Sequence, residues 1–163
     1  MLYIATSLQQ LRFGQLMEVY LESNLEKAER IGLLQAEQDF YQYLDECFFP
    51  TPGAVYAVWV EGNEYISALR LEPYKDGLLL AALETAPRHR RKGYAKMLID
   101  AVLAEFSHQS IYSHVRKPNT ASLSVHERCG FCKIADSAVY IDGSVNNRAV
   151  TLCRPSTLRG EKV

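Results

Sequence analysis

The stretch Leu83-Glu-Thr-Ala-Pro-Arg-His-Arg-Arg-Lys-Gly-Tyr-Ala-Lys-Met97 decides how this chain folds and where it binds a ligand. It begins within an apolar run, Leu78 to Thr85, whose lack of alternation predicts a central strand covered on both faces. A basic loop follows, and apolar residues at helical spacing predict a helix from Gly93 to about His108. The start of a helix carries free N–H groups and a partial positive charge, so this order of elements is typical of a phosphate site.

The loop itself has the composition that an anionic ligand requires. Gly93 lets the backbone approach a ligand closely, and Ala95 is small enough not to block it. Charge that can meet a polyphosphate comes from Arg88, Arg90, Arg91 and Lys92. The alternative at this stage is a solvated basic turn in front of an ordinary helix.

The segments on either side predict one α/β domain over residues 1–163 in the order β-α-α-β-β-β-α-β-α-β-β. Besides the central strand, strands are predicted at 2–6, 54–61, 64–71, 110–116, 131–141 and 148–153. Gly62-Asn63 joins the second and third of these in a hairpin. Further helices are predicted over 8–30, which Gly14 can divide, over 33–47, and from Pro118-Asn119 to Gly130.

Composition narrows the class of protein. With 163 residues, 48% hydrophobic and 23% charged, the chain is neither disordered nor collagen-like. A net charge of −1 argues against a general binder of nucleic acid or of anionic membranes. The uncharged stretch from Cys47 to Val60 is too short to span a bilayer, and the N-terminus lacks the features of a signal peptide. We therefore expect a cytoplasmic protein.

Four cysteines, at positions 47, 129, 132 and 153, raise the alternative of a thiol-based redox or zinc protein. Cys129 and Cys132 have C-x-x-C spacing, but they follow a predicted helix, whereas a reactive pair usually begins one. Only His126 lies close enough in sequence to add a ligand, and a zinc site needs four. Buried, reduced cysteines are favoured, and no metal is expected.

Two short motifs carry the most functional information. The first is Arg90-Arg-Lys-Gly93-Tyr-Ala95, and the second is Asn119-Thr-Ala-Ser122 followed by Gly130-Phe131. They match the Q/R-x-x-G-x-G/A signature and the N-x-x-A/S and G-F pattern of the GNAT superfamily of acyl-CoA-dependent N-acetyltransferases, which the chain resembles over about residues 54–153. The resemblance implies a GNAT-like fold, with a mixed, mostly antiparallel central sheet flanked by helices.

The resemblance also implies acetyl-CoA as co-substrate and assigns residues to it. The backbone of Leu83, Glu84 and Thr85 is expected to pair with the pantetheine arm like an added strand. The pyrophosphate would be held by the N–H groups of Arg91, Lys92, Gly93, Tyr94 and Ala95, with Arg90 beside them. Asn119 and Ser122 are expected to contact the cofactor from the next helix, although an N-cap role explains Asn119 equally well.

Acyl transfer to an amine needs a neutral nucleophile, which makes a base valuable. A lysine-like amine is neutral only about once in 2,500 at pH 7, equivalent to roughly 4.6 kcal/mol. Glu84 ends the apolar central strand and is the leading candidate, unless its side chain emerges to solvent or pairs with an arginine. Many relatives place a tyrosine acid where this chain has His126, so His126 is the candidate acid, with His114 and Tyr94 as weaker ones.

The identity of the acceptor amine stays open, from polyamines and aminoglycosides to peptide N-termini and protein lysines. The second helix and its exit interleave acids with aromatics, which would suit an amine with apolar surface: Asp39, Phe40, Tyr41, Tyr43, Asp45, Glu46, Phe48 and Phe49. An ordinary amphipathic helix explains the same pattern. A non-catalytic acyl-CoA-binding or sensing module is the alternative function, and a homodimer remains open.

Overall fold

A computed structural model describes residues 1–157. Its main feature is a seven-stranded sheet in the order β1-β2-β3-β4-β5-β9-β6. The strands are β1 (Leu2–Ala5), β2 (Val55–Glu61), β3 (Glu64–Tyr74), β4 (Gly77–Thr85), β5 (Ser110–Arg116), β6 (Cys132–Ala135) and β9 (Ala149–Arg154). Only the β4–β5 pair is parallel within this sheet. The predicted mixed, mostly antiparallel sheet is confirmed.

Helices cover both faces of the sheet. They are α1 (Phe13–Val19), α2 (Leu21–Ile31), α3 (Leu33–Tyr43), α4 (Tyr94–Glu105) and α5 (Thr120–Arg128). On one face, α4 and α5 bury a core around Leu69, Leu80 and Ile99. On the other face, the segment that contains α1 packs with the exit of α3 around Leu16, Phe48 and Tyr56. Within residues 1–157, no helix is long and apolar enough to cross a membrane.

Alternation along β2 explains how one strand serves both cores. Tyr56 and Val58 belong to the core beneath α1, whereas Ala57 belongs to the core beneath α4. Successive side chains of a strand point to opposite faces, so a run of apolar residues is required wherever both faces are covered. The same requirement accounts for Leu78, Leu79 and Leu80 of β4, all of which are buried.

The predicted helix over 8–30 is interrupted, but not at Gly14. A 3₁₀ turn at Leu8–Gln10 precedes α1, and the break between α1 and α2 lies at Tyr20, whose ψ of 18° is not helical. The break places the Tyr20 side chain in the core, where its hydroxyl donates to the carbonyl oxygen of Ala82 at 2.6 Å. Tertiary contact, rather than local propensity, sets this boundary.

Two other boundaries also differ from the sequence prediction. The helix over 33–47 ends as an α-helix at Tyr43 and continues as a π-helical turn, Leu44–Phe48, which buries Leu44 and Phe48. The strand at 131–141 is divided into β6 and the short β7 (Ala138–Val139), which pairs with β8 (Val145–Asn146) in a separate two-stranded sheet.

Gly77 is sterically required where β4 begins beside β5. A Cβ at this position would come within 2.8 Å of the carbonyl carbon of Ser110 and closer still to its oxygen. We expect Gly77→Ala to lower the free energy of unfolding by roughly 3 kcal/mol, because neither backbone can move without breaking strand pairing. Gly14→Ala is the control, since its Cβ meets nothing within 4 Å, and it should change stability by less than about 1 kcal/mol. Urea unfolding measures both, and equal stabilities would contradict the steric argument.

Candidate active site

A cleft opens where β4 leaves its parallel neighbour. Pairing between the two strands runs from Gly77 with Ser110 to Leu80 with Ser113 and then stops. β4 nevertheless stays paired with β3 as far as Thr85. The last residues of β4 therefore line the cleft with one backbone edge not used by β5, and an extended ligand can pair with such an edge.

A β-bulge in β4 coincides with this departure. Ala68 pairs with Glu84 and Arg70 pairs with Ala81, so Leu69 faces two residues of β4. One of these two, Ala82, has a φ of 53°, in the left-handed region that L-residues rarely adopt.

Two buried tyrosines hold the bulge in place. Tyr56 donates its hydroxyl hydrogen to the hydroxyl oxygen of Tyr20 at 2.8 Å, and Tyr20 in turn donates to the carbonyl oxygen of Ala82 at 2.6 Å. Burial raises the pKa of both phenols, so both stay protonated and able to donate.

The cleft has a volume of about 860 Å³ and lies between the end of β4, the loop before α4, and the start of α5. It brings together ten of the residues that the sequence assigned to the cofactor. These are Leu83, Glu84, Thr85, Arg90, Arg91, Gly93, Tyr94, Ala95, Asn119 and Ser122. Lys92 is exposed and does not line the cleft, so the structure does not bring it to this site.

Two residues of the loop before α4 that line the cleft have a left-handed backbone conformation. Arg91 has a φ of 61° and Gly93 a φ of 84°, and left-handed residues of this kind turn successive N–H groups towards one side. Gly93 is the N-cap of α4, and among the described residues no side chain caps this helix. The first N–H groups of α4 are therefore free to bind an anion.

Arg88 and Arg90 form ion pairs with different carboxylates, and only Arg90 lines the cleft. Arg90 lines the cleft, pairs with Glu22 of α2 and donates from Nε to the carbonyl oxygen of Thr85 at 3.2 Å. Arg88 pairs instead with Glu64 and with Glu18, the latter at 3.3 Å, and does not line the cleft. The charge expected from Arg88 is thus directed away from the site.

Asn119 combines the two interpretations that the sequence offered. Its Oδ1 accepts a hydrogen bond from the N–H of Ser122 at 3.1 Å, which makes it the N-cap of α5. Both residues also line the cleft. Capping therefore fixes the position of these polar groups at the cleft wall.

A second pocket of about 420 Å³ adjoins the cleft between α2, α3 and the sheet. Ser23 and Glu84 line both cavities, so they form the boundary between them. Three of the proposed acceptor residues, Asp39, Phe40 and Tyr43, line the pocket. The others do not: Tyr41, Asp45 and Glu46 are exposed, and Phe48 and Phe49 pack in the core.

The Glu84 carboxylate occupies this boundary in a partly buried environment. Its Oε1 accepts a hydrogen bond from the hydroxyl of Ser23. Burial raises the pKa of Glu84 above its ordinary value of 4.5, while the Ser23 hydrogen bond and the charge of Arg90 act in the opposite direction. A carboxyl group with a raised pKa is a better proton acceptor, as a general base requires.

His126 is not brought to the cleft. Its side chain is 0% exposed, packs edge-on against Phe131, and lines neither cavity. Its Nδ1 lies 2.7 Å from the carbonyl oxygen of Ser122, and a carbonyl only accepts, so Nδ1 carries the proton. Nε2 then accepts from the hydroxyl of Ser113 at 2.9 Å. Both ring nitrogens are occupied, which argues against the acid role expected from the sequence.

The remaining acid candidates lie in different places, and the expectation of buried cysteines holds for Cys129 but not for Cys132, which is exposed. His114 contacts Tyr74 and Tyr140 away from both cavities, so of the three candidate acids only Tyr94 lines the cleft. Burial raises the pKa of the Cys129 thiol to about 11, which keeps it unreactive at neutral pH. In the part of the chain that the structure describes, no group of three or more His, Cys, Asp or Glu is placed to hold a metal ion.

Side chains of α2 and an arginine of β3 also contribute to the two cavities, although none of them was predicted from the sequence. Glu22, Ser23 and Glu26 line the cleft, and Lys27 lines the pocket. α2 begins after the break at Tyr20, which no local feature of the sequence indicates. Arg70, in the alternating pattern of β3, also lines the pocket.

Comparison with known proteins agrees with this geometry. The model of the acetyltransferase (GNAT) family matches residues 15–131. No curated protein sequence matches the chain significantly.

Solved structures share the fold at low sequence identity. The Escherichia coli ribosomal-protein-S18-alanine N-acetyltransferase is 16% identical with a TM-score of 0.64, covering 100% of this chain and 99% of its own. Aminoglycoside 6′-acetyltransferase type Ii is 13% identical with a TM-score of 0.66, at 97% and 99% coverage. An aminoglycoside 6′-N-acetyltransferase complexed with coenzyme A is 12% identical with a TM-score of 0.64, at 98% and 99% coverage.

The buried position of His126 predicts a pH-dependent stability. Burial lowers the pKa of His126 from 6.5, so as the pH falls below 6.5 the unfolded chain binds a proton that the folded chain does not. The parent should therefore lose stability on acidification through this residue. Replacing it by glutamine should cost about 1–3 kcal/mol at pH 7.5, and the difference between parent and variant should narrow towards pH 5.

Urea unfolding at the two pH values measures this effect, with His108→Gln, at an exposed histidine, as the control. A difference that stays constant with pH would contradict the assignment. Loss of the basic limb of the pH–rate profile in folded His126→Gln would restore its role as the acid.

Proposed function

This chain belongs to the GNAT acetyltransferase family, and on that premise we propose that it is an N-acetyltransferase that moves an acetyl group from acetyl-CoA to a primary amine. The observation that carries the proposal is the position of Glu84 at the boundary between the two cavities. One cavity presents a strand edge and a free helix start, and the other presents charged and aromatic side chains. A donor and an acceptor bound in them would meet at the Glu84 carboxylate.

The larger cleft fits the shape and charge of acetyl-CoA. The open edge of β4 at Leu83–Thr85 suits a pantetheine arm, because amide groups pair with an unused strand edge. The loop from Arg90 to Ala95 suits a pyrophosphate, and the space above Gly93 is open, since a Cβ there would meet nothing within 4 Å. A neighbour of the same fold is complexed with coenzyme A, which supports this assignment.

When bound, acetyl-CoA supplies an activated thioester, whose acetyl group passes to the amine as its thiol leaves. Glu84 holds the proton that the amine gives up, directly or through a water molecule. Its raised pKa narrows the gap between the carboxyl group and an ammonium ion, which makes this proton transfer less unfavourable. Ser23, whose hydroxyl donates to Oε1, orients the carboxylate.

Departure of the CoA thiol does not require a proton from His126. A thiol has an ordinary pKa of about 8.5, so it departs readily as thiolate near neutral pH. Tyr94 lines the cleft and is the remaining hydroxyl among the candidate acids. We expect any contribution from an acid to be smaller than that of Glu84.

A non-catalytic acyl-CoA-binding module would use the same cleft without turnover. Release of free CoA from acetyl-CoA, measured against a panel of amines, separates the two functions. Amine-dependent CoA release supports the enzyme, whereas binding of acetyl-CoA without release for any amine supports the module. The cytoplasmic location and the homodimer stay predictions.

Binding at the start of α4 is tested by adding charge and bulk at Gly93. We expect Gly93→Asp to weaken acetyl-CoA binding by at least about tenfold relative to Gly93→Ala, because only the former places a carboxylate beside the pyrophosphate. Alanine tolerates the φ of 84° no better than aspartate does, so backbone strain alone cannot make the aspartate variant bind more weakly than this alanine control. Calorimetric titration gives both affinities. Equal affinities would show that the pyrophosphate lies elsewhere.

The role of Glu84 is tested by removing its charge while keeping its shape. Glu84→Gln should lower kcat/KM by about 10²–10⁴ and leave acetyl-CoA affinity unchanged, the range for loss of a general base. In the parent, the acidic limb of kcat/KM should lie above pH 4.5, since burial raises the pKa of Glu84, and the variant should lose this limb.

Glu26→Gln provides the control, because Glu26 lines the same cleft but is exposed. It should retain activity within about threefold and move the acidic limb to slightly lower pH, since the charge of Glu26 raises the pKa of Glu84. A fully active Glu84→Gln variant would overturn the assignment of the base.

A further inference from the structure

Arg70 is a cation without a counter-charge in the wall of the smaller pocket. It lies on β3, between Tyr56 of β2 and Ala81 of β4. Its Nε is buried and has no hydrogen-bond partner within residues 1–157. Among the same residues, no carboxylate lies within ion-pair distance of its guanidinium group. Burying a charged hydrogen-bond donor without a partner costs free energy, so we expect a ligand to supply the missing acceptor.

Aromatic rings orient the guanidinium group without neutralising it. Its Cζ lies 4.9 Å from the ring centroid of Tyr43 and 5.7 Å from that of Phe48. The charge of Arg70 lowers the pKa of the Tyr20, Tyr43 and Tyr56 hydroxyls, but burial outweighs it and each pKa remains raised. The phenols therefore stay uncharged at neutral pH and provide no counter-ion.

The two carboxylates that line this pocket have other partners. Asp39 accepts a hydrogen bond from Nε2 of Gln35 at 2.6 Å, and Glu84 accepts one from Ser23. The pocket thus holds a proton acceptor at one side and an unpaired, ring-stacked guanidinium group at another.

We propose that the acceptor carries a carboxylate as well as an amine, as an amino acid or short peptide does, and that Arg70 binds this carboxylate. The proposal rests on the proposed N-acetyltransferase function. The amine lies at Glu84, and the carboxylate meets the planar guanidinium fork, which matches its geometry. Phe40 and Tyr43 provide apolar surface for the carbon skeleton between the two groups.

The sheet register places the backbone of Glu84 near that of Arg70. Glu84 pairs with Ala68, which is two residues from Arg70 on β3, or about 7 Å along the strand. A small zwitterion or a dipeptide spans a distance of this order. An acceptor with positive charge only, such as a polyamine or an aminoglycoside, would bring further like charge towards Arg70 and Lys27.

Matched acceptors test the proposal on the parent protein. The panel contains glycine, phenylalanine, ω-amino acids of three to six carbons and glycyl-phenylalanine, each beside its own C-terminal amide. We expect at least one acid to exceed its amide in kcat/KM by about tenfold or more, since a charge-assisted pair is lost in the amide. Amides that equal or exceed their acids throughout would overturn the proposal while leaving the N-acetyltransferase function intact.

Variants then assign the preference to Arg70. Arg70→Gln should reduce the acid-to-amide ratio to about one, and Arg70→Lys should retain part of it, because the charge remains and the fork is lost. Lys27→Gln is the control, since it removes an exposed positive charge from the same pocket. If Lys27→Gln abolishes the ratio and Arg70→Gln does not, the carboxylate site is not at Arg70.

Two further measurements distinguish failure of the carboxylate site from failure of the transferase function. Calorimetric binding of the N-acetylated acids and their amides, with CoA present, reports the carboxylate site without turnover. If the acids bind more tightly than the amides but no amine is acetylated, the site stands and the transferase function fails. If Arg70→Gln does not fold by thermal unfolding, the acid–amide comparison on the parent and on Arg70→Lys decides.

Discussion

The divergence of β4 from β5 after Leu80 is the constraint on which the site depends. A continuous sheet would satisfy every backbone group and leave no edge for a ligand. The bulge opposite Leu69 coincides with the point where the two strands part, and a left-handed Ala82 is an unfavourable conformation that the surroundings must hold. Hydrogen bonding from Tyr20 and Tyr56 provides that support, so a core interaction on one face of the sheet helps to maintain the opening between two of its central strands.

The two cavities differ in the kind of chemistry that lines them. The cleft offers backbone groups at the strand edge and at the start of α4, and these depend on chain path more than on side-chain identity. The adjoining pocket offers side chains, among them Asp39, Tyr43 and Arg70. Solved structures that are 12–16% identical to this chain share its fold, and a shared fold retains the chain path without retaining the side chains. On the proposed function, the choice of acceptor is therefore expected to depend on the side chains of the pocket.

The features that could be predicted from the sequence are those that depend on residues close together along the chain. Gly93 marks a left-handed residue before a helix, and Asn119 marks a helix start, so both could be placed from neighbouring residues. The facing of His126 could not, because a helical position does not reveal which side the core covers; the ring is fully buried. Arg70 was missed for a similar reason. The rings around its guanidinium group belong to segments that are distant in sequence. The residue pattern of one strand therefore cannot show that Arg70 lacks a counter-charge.

The burial of Glu84 affects both the pKa of its carboxyl group and the pH dependence of the stability of the fold. Because burial raises the pKa of this carboxyl group, the folded chain holds a proton at pH values where the unfolded chain has released it. By linkage, the contribution of Glu84 to stability is greatest in acid and diminishes as the pH rises from its ordinary value of 4.5 through the raised pKa. The deprotonated form, which the proposed base role requires, is therefore the less favourable form of Glu84 in the folded chain. At neutral pH burial disfavours the Glu84 carboxylate, and the hydroxyl of Ser23 and the charge of Arg90 partly offset this effect.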